Sequence, residues 1–153
     1  KILTVDPFIY KNDIVKTTLI KYNITTENIA YANILMNRQY TLSGKVIKGS
    51  NIGKSIGFPT ANIQINEIKQ IIPKDGVYSV NLIFDSVEHS AICNIGVTPT
   101  LNLQDKIKIE VHLIDCNINL YDKEVTIKFK NFSNAYWFGL PYYTTFYSTK
   151  FNC

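Results

Sequence analysis

Thr60 and Asn62 stand two residues apart, directly after Pro59, which fixes the backbone ahead of them. On a strand their side chains project to one side, a hydroxyl oxygen beside an amide oxygen. Oxygens of this kind suit a magnesium ion carried by a nucleotide. The residues just upstream fit the same chemistry. Gly44, Gly49, Gly53 and Gly57, four of the seven glycines, fall within 14 positions. Glycine there permits close approach of backbone to a ligand, and the spread suits a flap over phosphates. A plain hairpin loop closed by a Thr/Asn turn would show the same spacing, so these residues alone leave both readings open.

Gly49 to Ser55 reads Gly-Ser-Asn-Ile-Gly-Lys-Ser, close to a P-loop. That motif needs four residues between its glycines, where this chain has three, and a helix straight after the Lys-Ser pair. Gly57 and Pro59 follow within four residues, and the residue before a proline avoids the helical region. A P-loop is excluded. What remains is a glycine-rich loop leading into an extended segment.

The elements that must position these residues change character near Thr41. Upstream, two short helices are expected after an extended entry. Asn12 or Asp13 would cap the first, which carries Ile14, Leu19 and Ile20; Thr25 or Thr26 would cap the second, with Ile29, Ala32 and Met36 at helical spacing. From Thr41 the period is two. Strands are predicted near 41–48, 59–65, 76–84, 90–96, 107–115 and 124–130, separated by turn chemistry such as Pro73-Lys74-Asp75-Gly76. Six short strands without intervening helices predict an antiparallel barrel or sandwich. Closure into a barrel is favoured because it leaves no exposed edge. Segment 107–115 alternates, with Ile107, Ile109, Val111 and Leu113 on one face and Lys106, Lys108, Glu110 and His112 on the other. By pattern alone the second face is a solvated outer surface.

Composition bounds the class. The 153 residues suit one domain of ordinary size plus attachments, and the 46% hydrophobic content is that of a globular protein. The net charge of +4 comes almost wholly from lysine, Arg38 being the only arginine. Such mild basicity favours anionic ligands such as nucleotides and is too small to argue for nucleic acid. Cys93, Cys116 and Cys153 are an odd number without metal spacing, so a reduced, cytoplasmic setting is expected. No apolar run reaches the length needed to cross a bilayer, and no membrane partner is expected. Without an initiator methionine or signal peptide, the chain is expected to begin inside a longer protein.

Gly53-Lys54-Ser55-Ile56-Gly57-Phe58-Pro59-Thr60-Ala61-Asn62 resembles the signature of riboflavin kinases, in particular the kinase module of prokaryotic bifunctional riboflavin kinase/FAD synthetases. Four further motifs follow in the family's order: Pro73-x-x-Gly76-Val77-Tyr78, Asn94-Ile95-Gly96-x-x-Pro99-Thr100, Glu110-x-His112-Leu113 and Leu120-Tyr121. The resemblance implies a mainly β fold, a six-stranded antiparallel Greek-key barrel preceded by short connector helices. It implies transfer of the ATP γ-phosphate to the ribityl 5′-hydroxyl of riboflavin, with Mg²⁺ as cofactor and ATP and riboflavin as partners. Gly49, Gly53, Lys54, Gly57, Phe58, Pro59 and Thr60 would then bind nucleotide, Thr60 and Asn62 the metal, and Glu110 would be the general base. Lys54 replaces the family's usual arginine, keeping the charge and losing the planar fork. His112 is expected to be structural.

The resemblance also implies a division of the chain. Residues 1–40 resemble the end of an adenylyltransferase module and its helical connector, 41–132 the kinase barrel, and 133–153 an atypical aromatic tail. The upstream His-x-Gly-His motif of the adenylyltransferase is absent, so FAD synthesis by this chain is not expected. The tail departs from the family, which continues as Ile-Arg-x-Glu-x-x-Phe and an amphipathic helix. Ser133–Cys153 has no acidic residue and places eight aromatics in 21 positions, with Gly139 and Pro141 where a helix would run. A shifted reading frame after Phe132 is preferred over an aromatic tail that packs on a partner or membrane. An alternative is therefore a degenerate, catalytically weak relic that still binds nucleotide. A barrel binding single-stranded nucleic acid ranks below it, because the aromatics cluster in the tail and not along the strands.

Overall fold

A computed structural model describes residues 3–49, 60–66, 70–98, 106–114 and 118–133. The chain opens with a small hairpin, β1 (Ile9–Tyr10) and β2 (Asp13–Ile14), followed by helices α1 (Thr17–Ile24) and α2 (Ile29–Met36). Six strands come next: β3 (Tyr40–Ile47), β4 (Ala61–Ile65), β5 (Gly76–Phe84), β6 (Val87–Thr98), β7 (Lys106–Leu113) and β8 (Glu124–Ser133). They close into an antiparallel barrel in the order β3-β4-β7-β6-β5-β8. Strands β5, β6 and β7 form a meander, and β8 returns to lie beside β5, which is the Greek-key connection. The expected barrel is present, with every strand paired on both sides.

Alternation builds the interior. Leu42 and Val46 of β3, Tyr78, Val80 and Leu82 of β5, Ile109, Val111 and Leu113 of β7, and Val125, Ile127 and Phe129 of β8 are buried in one cluster. Burial of so many branched and aromatic side chains, each giving about 1.5–3 kcal/mol, is what holds the closed sheet. Register places Cys93 opposite Tyr78 on one side and Val111 on the other, and Cys93 is fully buried. Burial pushes its thiol pKa up.

Strand β8 runs past its predicted end because of a bulge. Ser79 pairs with Asn131 and Val80 with Phe129, so Lys130 is an extra residue. The added residue lets both Phe129 and Phe132 meet Tyr78 edge-on, each with ring centroids 5.2 Å away. Helix α2 is fastened at this same point. The Asn33 amide donates to the Phe129 carbonyl at 2.9 Å and accepts the Tyr40 N–H at 2.7 Å. Ile24, Ile29 and Ala32 complete the contact, joining the helices to the barrel core.

The helix starts differ from expectation. Asn12 and Asp13 do not cap a helix: they lie in and after the turn of the β1–β2 hairpin, where Lys11 has φ 54°, and Ile14 is in β2. The first helix begins only at Thr17, with Lys16 at its N-cap. Thr25 closes α1, its N–H and hydroxyl both donating to the Lys21 carbonyl, and Asn28 precedes α2 without a side-chain cap bond. Eight-residue helices have little intrinsic stability, so packing on the barrel sets their limits.

Candidate active site

The outer face of β4, β7 and β6 gathers the polar residues singled out by their chemistry. Asn62 of β4 lies directly opposite Glu110 of β7, and Asn94 of β6 lies opposite Glu110 on its other side. Residues in direct register share a face with Cβ atoms about 4.5–5.5 Å apart, so the three form a polar row across three strands. Thr60 sits two residues before Asn62 and reaches the same place. Its hydroxyl is 3.5 Å from Glu110 Oε1, a long contact that a small movement would tighten. Lys108, two residues before Glu110 on the same face, places Nζ 3.0 Å from that same Oε1.

This face is less solvated than its alternating pattern predicts. Asn62 and His112 are each only 9% exposed, and the Glu110 side chain 16%. A carboxylate so enclosed responds to each neighbouring charge and donor more strongly than one in open water. Gly49 adds a steric constraint. A Cβ at that position would lie 1.9 Å from Asn62 Nδ2, so the chain leaving β3 passes directly over the Asn62 amide. Only a residue without a side chain allows that approach.

Of the expected site residues, Gly49, Thr60, Asn62 and Glu110 are therefore brought together. Gly53, Lys54, Gly57, Phe58 and Pro59 lie outside the described residues, as do Cys116, Cys153 and 134–153 of the aromatic tail.

Residues 36–135, a stretch that holds the whole barrel, match the Flavokinase family, described as riboflavin kinase. The chain belongs to the riboflavin kinase family. It is 35% identical over 130 residues to the bifunctional riboflavin kinase/FMN adenylyltransferase of Buchnera aphidicola subsp. Schizaphis graminum, covering 83% of this chain and 41% of that protein. The Listeria monocytogenes protein of the same description is 36% identical over 132 residues, covering 86% and 42%. The chain thus spans about two fifths of the length of these curated relatives. A solved structure titled as a macrolide-efflux protein from Streptococcus pneumoniae superposes with a TM-score of 0.83 at 24% identity, over 94% of this chain and 47% of that one. At that identity the likeness speaks for the fold.

A metal at this face of the riboflavin kinase barrel would meet a particular kind of donor set. Thr60 and Asn62 provide two neutral oxygens with one carboxylate beside them. Among the described residues no group of three His, Cys, Asp or Glu could hold an ion. A hard dication held by protein alone needs more charge than this, whereas one arriving with nucleotide phosphates brings its own counter-charge. The donor set fits the second case.

Two further residues stand beside Glu110 whose place there the sequence analysis does not single out. Asn94 stands in a motif, and only the β6–β7 register shows that it flanks Glu110. Lys108 reads as one of several strand lysines, and its contact with Glu110 emerges from the pleat, which puts residues two apart on one face.

Proposed function

We propose that the barrel is a riboflavin kinase that transfers the γ-phosphate of ATP to the ribityl 5′-hydroxyl of riboflavin, giving FMN and ADP. The observation that carries this reading is the convergence of Thr60, Asn62 and Glu110 on one enclosed patch inside the segment that matches the family. Glu110 accepts the hydroxyl proton as the oxygen attacks phosphorus, and the bond from the γ-phosphorus to the bridging oxygen breaks towards ADP. A positioned base of this kind contributes about 10²–10⁴ in rate.

Thr60 and Asn62 hold the magnesium that comes with ATP, and when bound it supplies neutralisation of phosphate charge. Gly49 keeps the chain low over Asn62, so that backbone and not side chain meets the nucleotide. Gly53, Lys54, Gly57, Phe58 and Pro59 complete the nucleotide contacts in this reading. Residues before Tyr40 act as a connector that braces the barrel through Asn33, with no part in the chemistry. The setting is the cytoplasm, in keeping with a free, buried Cys93 thiol.

Incubation with riboflavin, ATP and magnesium, followed by chromatographic separation of flavins, tests the reading. FMN is expected, with formation abolished by chelation of the metal. A folded sample that makes no FMN would overturn it.

A further inference from the structure

Among the described residues, Glu110 has two close side-chain partners, and both take the same oxygen. Lys108 Nζ lies 3.0 Å from Oε1 and Thr60 Oγ1 3.5 Å from it. Opposite Lys108 on β6 is Gly96, which presents no side chain. A Cβ there would meet nothing nearer than the Asn94 amide at 3.8 Å. The lysine stem therefore has open sheet surface beside it and lies along the strand towards Glu110. The lysine side chain is 40% exposed and the glutamate side chain 16%, so the pair sits at the rim of the patch.

We propose that Lys108 is a positioning residue for the phosphoryl transfer. It fixes the Glu110 carboxylate by holding Oε1, and so presents Oε2 to the acceptor hydroxyl. This rests on the reading of Glu110 as the base. A carboxylate with free χ angles samples many orientations, and a general base works only within hydrogen-bond reach of its proton. A misplacement of about 1 Å can cost up to ~10²-fold, so a tether on one oxygen has kinetic value even where the ion pair adds little stability. Lysine suits the rim: its long stem spans the two-residue step, and its compact ammonium leaves room for the acceptor.

Three variants separate this role from its rivals. Lys108→Met keeps the length of the stem and removes the charge, and is expected to lower kcat about tenfold while leaving KM for Mg·ATP and riboflavin within about twofold. Lys108→Arg is expected to restore most of the loss. An unchanged kcat in Lys108→Met would overturn the proposal and leave a surface ion pair. A raised KM for Mg·ATP at constant kcat would also overturn it, marking Lys108 as a phosphate contact. The pairing is read independently of turnover from the ¹⁵N-correlated resonance of the Lys108 ammonium, assigned by its loss in Lys108→Met. A shift of that resonance in Glu110→Gln supports the tether, and an unmoved resonance overturns it even if the wild-type protein makes no FMN. Absence of FMN alone, with the ammonium shift present, would overturn the kinase reading and with it the catalytic purpose of the tether, leaving the pairing in place.

Discussion

Gly49, Asn62 and Glu110 fail in different ways when changed, because each meets a different part of the reaction. Glu110→Gln keeps the size and the hydrogen-bonding oxygen but cannot accept a proton. It is expected to lower kcat by ~10²-fold or more with little change in nucleotide or riboflavin affinity. Asn62→Ala removes an oxygen from the magnesium–nucleotide site, so calorimetric titration with Mg·ADP should show weakened binding. Gly49→Ala should mimic Asn62→Ala without touching Asn62, since the new Cβ falls 1.9 Å from its amide nitrogen. That amide is the mobile end of a side chain, so it moves aside and the fold survives. A Gly49→Ala protein that bound Mg·ADP like the parent would show that the Asn62 amide does not hold the metal where it stands. Glu110, Thr60 and Asn62 are singled out in the sequence by the family's motifs, where spacing and alternation alone leave them open. Asn94 is not, because its part depends on the β6–β7 register, which no local pattern encodes. Lys108 shares a face with Glu110 in the alternation of 107–115, yet nothing in that pattern sets it apart from the strand's other lysine.

Among the elements, the barrel strands were legible and their ends less so. The predicted 76–84 strand coincides with β5, yet β6 begins at Val87 and not near 90. Asp85 and Ser86 both have positive φ, 48° and 65°, making a two-residue turn of the kind usually announced by Asn-Gly or Asp-Gly. Neither residue is glycine, so the hairpin gives no warning. The Lys130 bulge hides the end of β8 in the same way, by breaking the alternation that marks a strand. Helix caps were misplaced because Asn12 and Asp13 serve a hairpin, a use these residue types share with capping. The bulge also makes Asn33 the element-level joint. Its amide is the point at which α2, β3 and β8 meet, taking the Tyr40 N–H and the Phe129 carbonyl. Asn33→Ala strips partners from two half-enclosed backbone groups and should destabilise the protein by about 1–3 kcal/mol in a urea titration. Asn33→Asp, which keeps the acceptor for Tyr40 and loses the donor to Phe129, should fall between. Equal stability of all three proteins would mean that the helices rest on the barrel through apolar contact alone.

On the scale of the whole molecule, burial in the closed barrel holds one thiol and two phenols in their neutral forms. Burial raises the pKa of the Cys93 thiol, and it raises the hydroxyls of Tyr78 and Tyr40, the latter partly offset by its bond to the Ile71 carbonyl. An unfolded thiol ionises near pH 8.5 and an unfolded phenol near pH 10. Above those values the unfolded chain holds fewer protons than the native one. Stability is then fully present below about pH 8.5 and falls as pH rises, by up to ~1.4 kcal/mol per pH unit for each such group. Lys45 and Lys74, paired with Asp122 and Glu27, are shifted in the same direction and add their loss only near the ordinary lysine range above about pH 10. Among the described residues, the window from about 8.5 to 10 therefore belongs to Cys93. Urea midpoints should be flat from pH 7 to 8, then decline. Cys93→Ala is expected to be less stable at neutral pH, because it loses buried volume opposite Tyr78, and yet to show a flatter slope across that window. Tyr78→Phe should keep the first decline and flatten the steeper one above pH 10. A Cys93→Ala protein whose midpoint fell as steeply as the parent's between pH 8.5 and 10 would place the alkaline sensitivity outside the barrel core.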